Sequence, residues 1–531
     1  MSSSDPPSKT PPKPTRRRFV IDFEPLTERL QILSWVDRLR RDMATGGYGA
    51  LVSLVLHAIA LVVMALILLK ASTEGDGDPL QARWSVPGEK AAKAGRKFKP
   101  VAIPINLGEG PVKVPAATQT PSEGEADGNQ KLGVAPVDVG EALQSRNPRT
   151  RSSNLESLGG SPSAENAIKM GLAWLMRQQK SDGHWELHQG YPDAGFSVIR
   201  TDTGATALAL LAFLGHGNTH QSGDHAAVVA KGLKWLRGVQ DPRTGDLHDL
   251  RQEEGRNGAF YAHAMGTIVL CEALALTGDE SLRPSAELAV KYLLDSQHPD
   301  NGGWKYRPIS KLMVGDLSVT GWALMALHTA RMAKIEIPHD DFVRASAFLD
   351  SVQVKGLSRY KYEPTSPDSK ASPALTAEAL LCRQWLGWPK TFPEMVQGMK
   401  YVTADEQLPV WSGGRRNVYA WYYTSQMLHN IGGPEWKRWN TAVRDTIVKN
   451  QVTGGSGKPG MDTRGSWHPM SPPGDPFEHS EKGGRLYMTV LCILILETPY
   501  RHKPIYSAEE VASAASGAAT GRGEISLTAG R

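Results

Sequence analysis

The stretch GLAWLMRQQKSDGHWEL, Gly171 to Leu187, recurs in worn copies, and that recurrence constrains the fold more than any other feature of the chain. GLKWLRGVQDPRTGDL (Gly232 to Leu247) keeps the Trp-Leu, the Gln and the Gly but ends on Leu. AVKYLLDSQHPDNGGW (Ala289 to Trp304) keeps Tyr-Leu, Gln, Gly and Trp. ASAFLDSVQVKGLSRY (Ala345 to Tyr360) keeps Phe-Leu, Gln and Gly and ends on Tyr, and IVKNQ leads by a longer loop to GSW at Trp467. A second repeat lies between these copies. DTGATALALLAF from Asp202, DLSVTGWALMAL from Asp316 and SPALTAEALLCR from Ser372 share a polar residue, three spacers, a Thr and a small residue. YAHAMGTIVLCE from Tyr261, YAWYYTSQMLHN from Tyr419 and KGGRLYMTVLCI from Lys482 fit more loosely.

Two kinds of helix therefore alternate. One ends in the Gln…Gly…Trp turn, where Gly183 allows the positive φ that a helix C-terminus often takes. The other is apolar nearly all round and must be buried. Six alternations predict twelve helices in two concentric rings over residues 161–504, an all-α fold of the (α/α)6 toroid type.

The Gln…Gly…Trp endings resemble the QW repeats of squalene and terpenoid cyclases, and the paired helices resemble the prenyltransferase/squalene-oxidase repeat superfamily. The resemblance covers about residues 161–504, and GLAWLMRQQKSDGHW fits the pattern in full. It implies an (α/α)6 barrel. It also implies that Gln179 with Trp185, and Gln297 with Trp304, are structural: the Gln bonds near the start of the next helix and the Trp stacks on it. Squalene-type cyclases protonate an alkene with the middle Asp of DxDDT. The nearest match is IRTDTG, where Thr201 holds the acid position and Ile199 the first. A hydroxyl cannot protonate an alkene. The DDxxD cluster of metal-dependent terpene synthases, the DxC motif of zinc prenyltransferases and a GCGEQ-like thioester motif are absent, so no metal and no cofactor are expected.

The remaining regions are simpler. Residues 1–22 form a disordered basic tail too poor in apolar surface to fold, and 505–531 a second disordered tail. Residues 23–46 carry Leu26, Leu30, Leu33, Val36 and Met43 near helical spacing, and predict an amphipathic juxtamembrane helix with Trp35 at the interface. Residues 47–70 enclose GALVSLVLHAIALVVMALILL, which has no charge and the ~20 apolar residues that span a bilayer. Arg16, Arg17, Arg18, Arg38, Arg40 and Arg41 precede it and place the N-terminus inside, with everything beyond Lys70 across an inner membrane, in the periplasm. Ser53 and His57 share one face of this span. Their SxxxH pattern resembles that of TonB-type energy transducers and suggests a membrane protein partner. Residues 71–160 read as a flexible linker, with a reach of roughly 50 Å for ~90 residues. The net charge of +5 is small, and no basic stripe with interleaved aromatics suggests nucleic acid.

If the inner helices run in one direction, their N-termini converge on one mouth of the barrel. The position four before the aligned Thr is then a ring of Asp202, Tyr261, Asp316, Ser372, Tyr419 and Lys482. Carboxylates and hydroxyls at helix N-termini serve as caps, and here also as a polar rim. Asp202 and Asp316 are the candidate catalytic pair. Tyr261, His263, Tyr419, Tyr422 and Lys482 are the candidate ligand-binding residues. Cys271, Cys382 and Cys492 fall into one small-residue register with Ala212 and Ala326 and read as core. The expected function is a membrane-tethered toroid that binds an apolar or isoprenoid ligand, or a protein partner, without catalysis. The alternative is a cyclase or transferase acting on isoprenoids or lipids through Asp202 and Asp316.

Overall fold

The computed structural model describes residues 142–187, 199–248, 258–307, 313–366, 369–455 and 462–506. They belong to the second of two compact units, Ser122–Arg531. The tail 1–22, the helix 23–46, the span 47–70 with Ser53 and His57, the linker up to residue 141 and the tail from 507 lie outside the described residues.

After a short helix, α1 (Pro148–Asn154), the chain alternates between two helix types. The first comprises α2 (Pro162–Gln178), α4 (Ala226–Val239), α6 (Arg283–Asp295), α8 (His339–Val352), α10 (Pro393–Val402) and α12 (Gly433–Lys449). Each buries one stripe, as α4 buries Val229, Gly232, Leu233 and Leu236. The second comprises α3 (Asp202–Gly215), α5 (Ala259–Thr277), α7 (Leu317–Met332), α9 (Pro373–Trp385), α11 (Val418–Ile431) and α13 (Ser480–Arg501). These are buried almost end to end; in α3 every residue after Asp202 is covered. In chain order each helix of this second set packs on the next, and α13 returns to pack on α3, closing an inner ring. Among the described residues β structure amounts to one two-stranded pair, β1 (Gln353–Val354) with β2 (Arg359–Tyr360).

The joints explain how the outer ring is held. Gln179 Nε2 donates to Gly183 O in its own turn (2.9 Å) and to Val228 O in the first turn of α4 (3.0 Å). Gln240 repeats this with Gly245 and Ser285, and Gln297 with Gly302 and Asp341. Gln451 donates to Gly465 O and to Ala167 O of α2, both at 2.8 Å, so the last outer helix is tied to the first. The glycine is required sterically. At Gly183, Gly245, Gly302 and Gly465 φ is positive, and a Cβ would lie 2.0–2.4 Å from a carbonyl oxygen of the next outer helix. The closing aromatic then pins outer to inner. Trp185, Trp304 and Trp467 each donate their ring N–H to the helix just ended, at Leu175, Leu293 and Ile447. Their backbone N–H groups donate to Thr206, Thr320 and Thr489 of the following inner helix.

One boundary differs from the sequence expectation. Residues 142–160, expected to be linker, are built into the toroid. Arg146 is 1% exposed and reaches the C-terminal ends of the inner helices. It donates to both oxygens of Glu272 (2.8 and 3.0 Å) and to the backbone of Arg501 (2.6 Å). Arg501 binds Glu272 as well, and the two guanidinium groups outweigh burial and hold Glu272 well below the usual carboxylate range. Ala142 O accepts from Lys503 N, so both ends of the domain meet there. The inner helix α5 is buried, as its all-round apolar sequence predicts. It is long and apolar enough to cross a membrane, yet 78% of its apolar window is buried between α3 and α7, so it reads as a core helix.

Candidate site at the barrel mouth

The N-terminal ends of α5, α7, α9, α11 and α13 bring a polar and aromatic cluster together. Asp316 is the N-cap of α7: its Oδ1 accepts from Val319 N (2.9 Å) and Ser318 Oγ (2.7 Å). Its side chain has no exposure, and Oδ2 faces Lys305 Nζ at 3.3 Å without a hydrogen bond. Burial pushes the Asp316 carboxyl up, and Lys305 partly offsets that. Lys305 also meets Glu363 Oε2 (3.2 Å) and the Tyr362 hydroxyl (3.4 Å), and lies over the rings of Tyr306 and Tyr362. Burial works against the ammonium charge, but Asp316 and Glu363 outweigh it and raise the value above that of a free lysine. Tyr306 and Tyr362 bond to each other through their hydroxyls. On the other side of Asp316, Ser318 joins it to Tyr261 OH (2.7 Å).

Glu378, in the first turns of α9, completes the cluster. It is fully buried; the Tyr419 hydroxyl donates to its Oε2 at 3.4 Å, and Oε1 has no hydrogen-bond partner. Burial, reinforced by the charge of Asp316, holds the Glu378 carboxyl well above the usual range. Gly321 of α7 makes the space, since a Cβ there would meet Glu378 Oε1 at 2.1 Å. Tyr423 and Tyr487 surround this half. Below the mouth, Trp322 of α7 stacks on Tyr422 of α11 at 5.9 Å, reaching over α9. Tyr422 OH faces Met325 Sδ at 3.6 Å. Aromatic side chains thus fill the lumen at this level. A further cavity lies at the opposite end, among Met325, His328, Trp385, Gln426, His429 and Arg501.

Of the residues expected from sequence, Tyr261, Asp316 and Tyr419 converge at this mouth. Asp202 does not join them. Thr201 is the cap of α3, Asp202 sits one residue inside, and its carboxylate faces His184 (3.8 Å) in a different network. Tyr422 belongs to the lumen rather than the rim. His263 stands where other repeats carry Thr: its Nδ1 accepts from Leu247 N (3.2 Å) and its Nε2 faces Ala289 O (3.0 Å). It is a satisfied joint residue, and burial lowers it to about 4. Lys482 lies in a separate turn, because Gly484 (φ 69°) breaks α13. Counted from Thr489, the aligned residue is Arg485, buried and donating to Ser466 Oγ at 2.7 Å. The same anchors place Cys382 in register with Ala212 and Ala326 but not Cys271 or Cys492; all three thiols are buried. Among the described residues no group of His, Cys, Asp or Glu is arranged to hold a metal.

Lys305, Tyr306, Tyr362 and Glu363 were missed because they lie in segments following joints, outside the helical repeats. Glu378 carried a signal that was not used: an ionisable residue inside an apolar helix stretch.

No protein-family model and no curated protein matches the chain. Among solved structures it is similar to an inactive variant of the α-1,6-mannanase GH76A of Salegentibacter sp. HEL1_6 in complex with α-1,6-mannotriose, at 13% identity, 64% of this chain, 98% of that one and a TM-score of 0.42. It is also similar to the type II terpene cyclase MstE from Scytonema (14%, 64%, 98%, TM-score 0.41). An unsaturated glucuronyl hydrolase from Bacillus sp. GL1 matches at 14%, over 65% and 99% of the two chains, with a TM-score of 0.43. The toroid itself is defined by the packing of α3 through α13, not by these similarities.

Proposed function

We propose that this chain is a membrane-tethered (α/α)6 toroid of six hairpins that binds a ligand at its barrel mouth without transforming it. The observation that carries this reading is the pairing of two features. Among the described residues, two buried carboxyl oxygens at the mouth make no well-formed hydrogen bond: Glu378 Oε1, and Asp316 Oδ2, which is ion-paired with Lys305 at 3.3 Å. The lumen beneath is occupied by Trp322, Tyr422 and Met325, where a cyclase of long apolar chains needs open space. Buried carboxyl oxygens without well-formed hydrogen bonds are costly, and a ligand that supplies polar partners relieves them. The span at 47–70 anchors the toroid in the inner membrane and sends it to the periplasmic side, and Ser53 with His57 recruits a membrane partner. The bilayer is thus one partner, and the mouth ligand, apolar or extended with a polar end, another.

A second reading keeps catalysis. Glu378, whose carboxyl burial holds well above the usual range, has with Asp316 the layout of an acid with a nearby base, and it supports an isoprenoid- or lipid-acting cyclase or transferase with Asp316, and Asp202 at a distance. The full chain in detergent, incubated with squalene and with a prenyl diphosphate, separates the two. Unchanged substrate together with a co-purifying mouth ligand that is lost in Glu378→Gln supports binding. Turnover abolished by Glu378→Gln overturns it. Membrane fractionation of the chain with and without residues 47–70, and cross-linking with His57→Leu, test the anchor and the partner.

A further inference from the structure

We propose that the mouth is a recognition site for a primary alkylammonium group, and that Lys305 is an internal occupant which such a ligand displaces. The inference rests on the binding reading above and supplies the chemistry of its ligand.

The groups around Lys305 Nζ are those of an ammonium site. An –NH₃⁺ group has three donors and no acceptor. Three acceptors surround this one: Asp316 Oδ2 at 3.3 Å, Glu363 Oε2 at 3.2 Å and Tyr362 Oη at 3.4 Å. Two aromatic faces complete the enclosure, with ring centroids 5.1 Å (Tyr306) and 4.7 Å (Tyr362) from the nitrogen. Such faces attract cations, more strongly when water is excluded. Three directional acceptors select a primary ammonium over a quaternary one, which has no N–H to give.

The walls of this site do not depend on Lys305. Asp316 is held by Val319 N and Ser318 Oγ, and Ser318 in turn by Tyr261. Tyr306 and Tyr362 hold each other through their hydroxyls, and Glu363 N and Tyr362 N both donate to Ser369 Oγ (3.2 and 2.9 Å). Lys305 by contrast is attached by a flexible stem and its side chain is 14% exposed. It can leave while the enclosure stays. The oxygen it faces, Asp316 Oδ2, is buried and has no hydrogen bond, so the resident ammonium fits the site imperfectly. A ligand ammonium approaching from the mouth is free of the constraint that Lys305 inherits from its neighbour Trp304, whose ring and backbone are locked in the joint. In the wild-type chain the site is competent only in the fraction of molecules where Lys305 has swung out, which weakens apparent affinity by that fraction.

The test uses the full chain in detergent and n-butylammonium, the detached equivalent of the lysine side chain. Binding is read by isothermal titration and by shift of the melting temperature. Lys305→Ala is expected to bind n-butylammonium at least about tenfold more tightly than wild type, because the competing occupant is gone. n-Butanol and tetramethylammonium are expected to bind neither, and Lys305→Ala with Asp316→Asn is expected to lose the gain. An Nα-acetyl-lysine methylamide that binds more tightly than n-butylammonium identifies a protein lysine as the source, and equal affinity identifies a small amine. Equal n-butylammonium binding by wild type and Lys305→Ala, or equal response to n-butanol, overturns the proposal. If Lys305→Ala does not fold, wild type against Glu363→Gln decides it, with weaker n-butylammonium binding expected in Glu363→Gln and unchanged binding overturning it. Failure here with a co-purified mouth ligand still lost in Glu378→Gln removes the ammonium site alone and leaves the binding toroid standing.

Discussion

At the residue scale, the joints and the mouth make separable predictions. Gly302 has φ 74°, and a Cβ there would lie 2.0 Å from Arg344 O. Gly302→Ala therefore combines backbone strain with a clash against another helix's backbone, which cannot swing aside like a side chain. A loss of about 2–3 kcal/mol, read as a lowered denaturant midpoint, is expected. Gly278 also has a positive φ (66°) but open space around it, so Gly278→Ala is expected to cost about 1 kcal/mol or less. Glu378→Gln keeps the shape of the carboxyl group. It is expected to leave the fold intact and remove mouth binding. Gly321→Ala pushes on Glu378 directly and is expected to reduce the same binding at some cost in stability, visible as a lower melting temperature with reduced ligand recovery.

At the element scale, the segment 142–154 behaves as a plug, not as linker. Arg146 and Glu272 form a pair whose side chains are each 1% exposed, and breaking one partner of such a pair costs about 3–5 kcal/mol. Arg146→Met is expected to destabilise by that order in urea unfolding monitored by circular dichroism. The signal for this plug was weak because it is a run of polar residues with no apolar period. Its burial is decided by the Arg146 guanidinium, which meets Glu272 and the Arg501 backbone on helices far away in sequence. The joints were far more legible. Gln, Gly and Trp lie within a few residues of one another, and each forms bonds that the repeat must preserve. The loosely aligned inner helices were read a few residues out of register. In α5 a histidine replaces the anchoring Thr, and in α13 a glycine break shifts the helix start.

At the scale of the whole molecule, buried titrating groups set the response to pH. Burial lowers His263 and His429 to about 4 and His328 to about 3. Between those values and the ordinary 6.5 the unfolded chain binds more protons than the folded one, so stability falls as the pH drops through this window. The loss is at most about 1.4 kcal/mol per pH unit for each histidine. Glu497 acts in the opposite direction. Burial raises it to about 8, so its contribution is complete below 4.5 and is lost as the pH rises towards 8. The melting temperature is expected to fall from pH 6.5 towards 4, and to fall again towards 8. Glu497→Gln is expected to flatten the second decline; an unchanged alkaline slope in that variant excludes Glu497 as its cause.

The sequence by itself determined the alternation of amphipathic and apolar helices and the chemistry of the joints between them, because both follow from local periodicity and short-range bonding. It did not determine the mouth. Lys305, Glu363 with Glu378, and Tyr419 come from three successive stretches of the chain, and their meeting depends on where ring closure places each helix end. Nor did it determine the upward shift of the Glu378 carboxyl or the burial of Arg146, because desolvation and Coulomb coupling depend on three-dimensional surroundings that no spacing along the chain encodes.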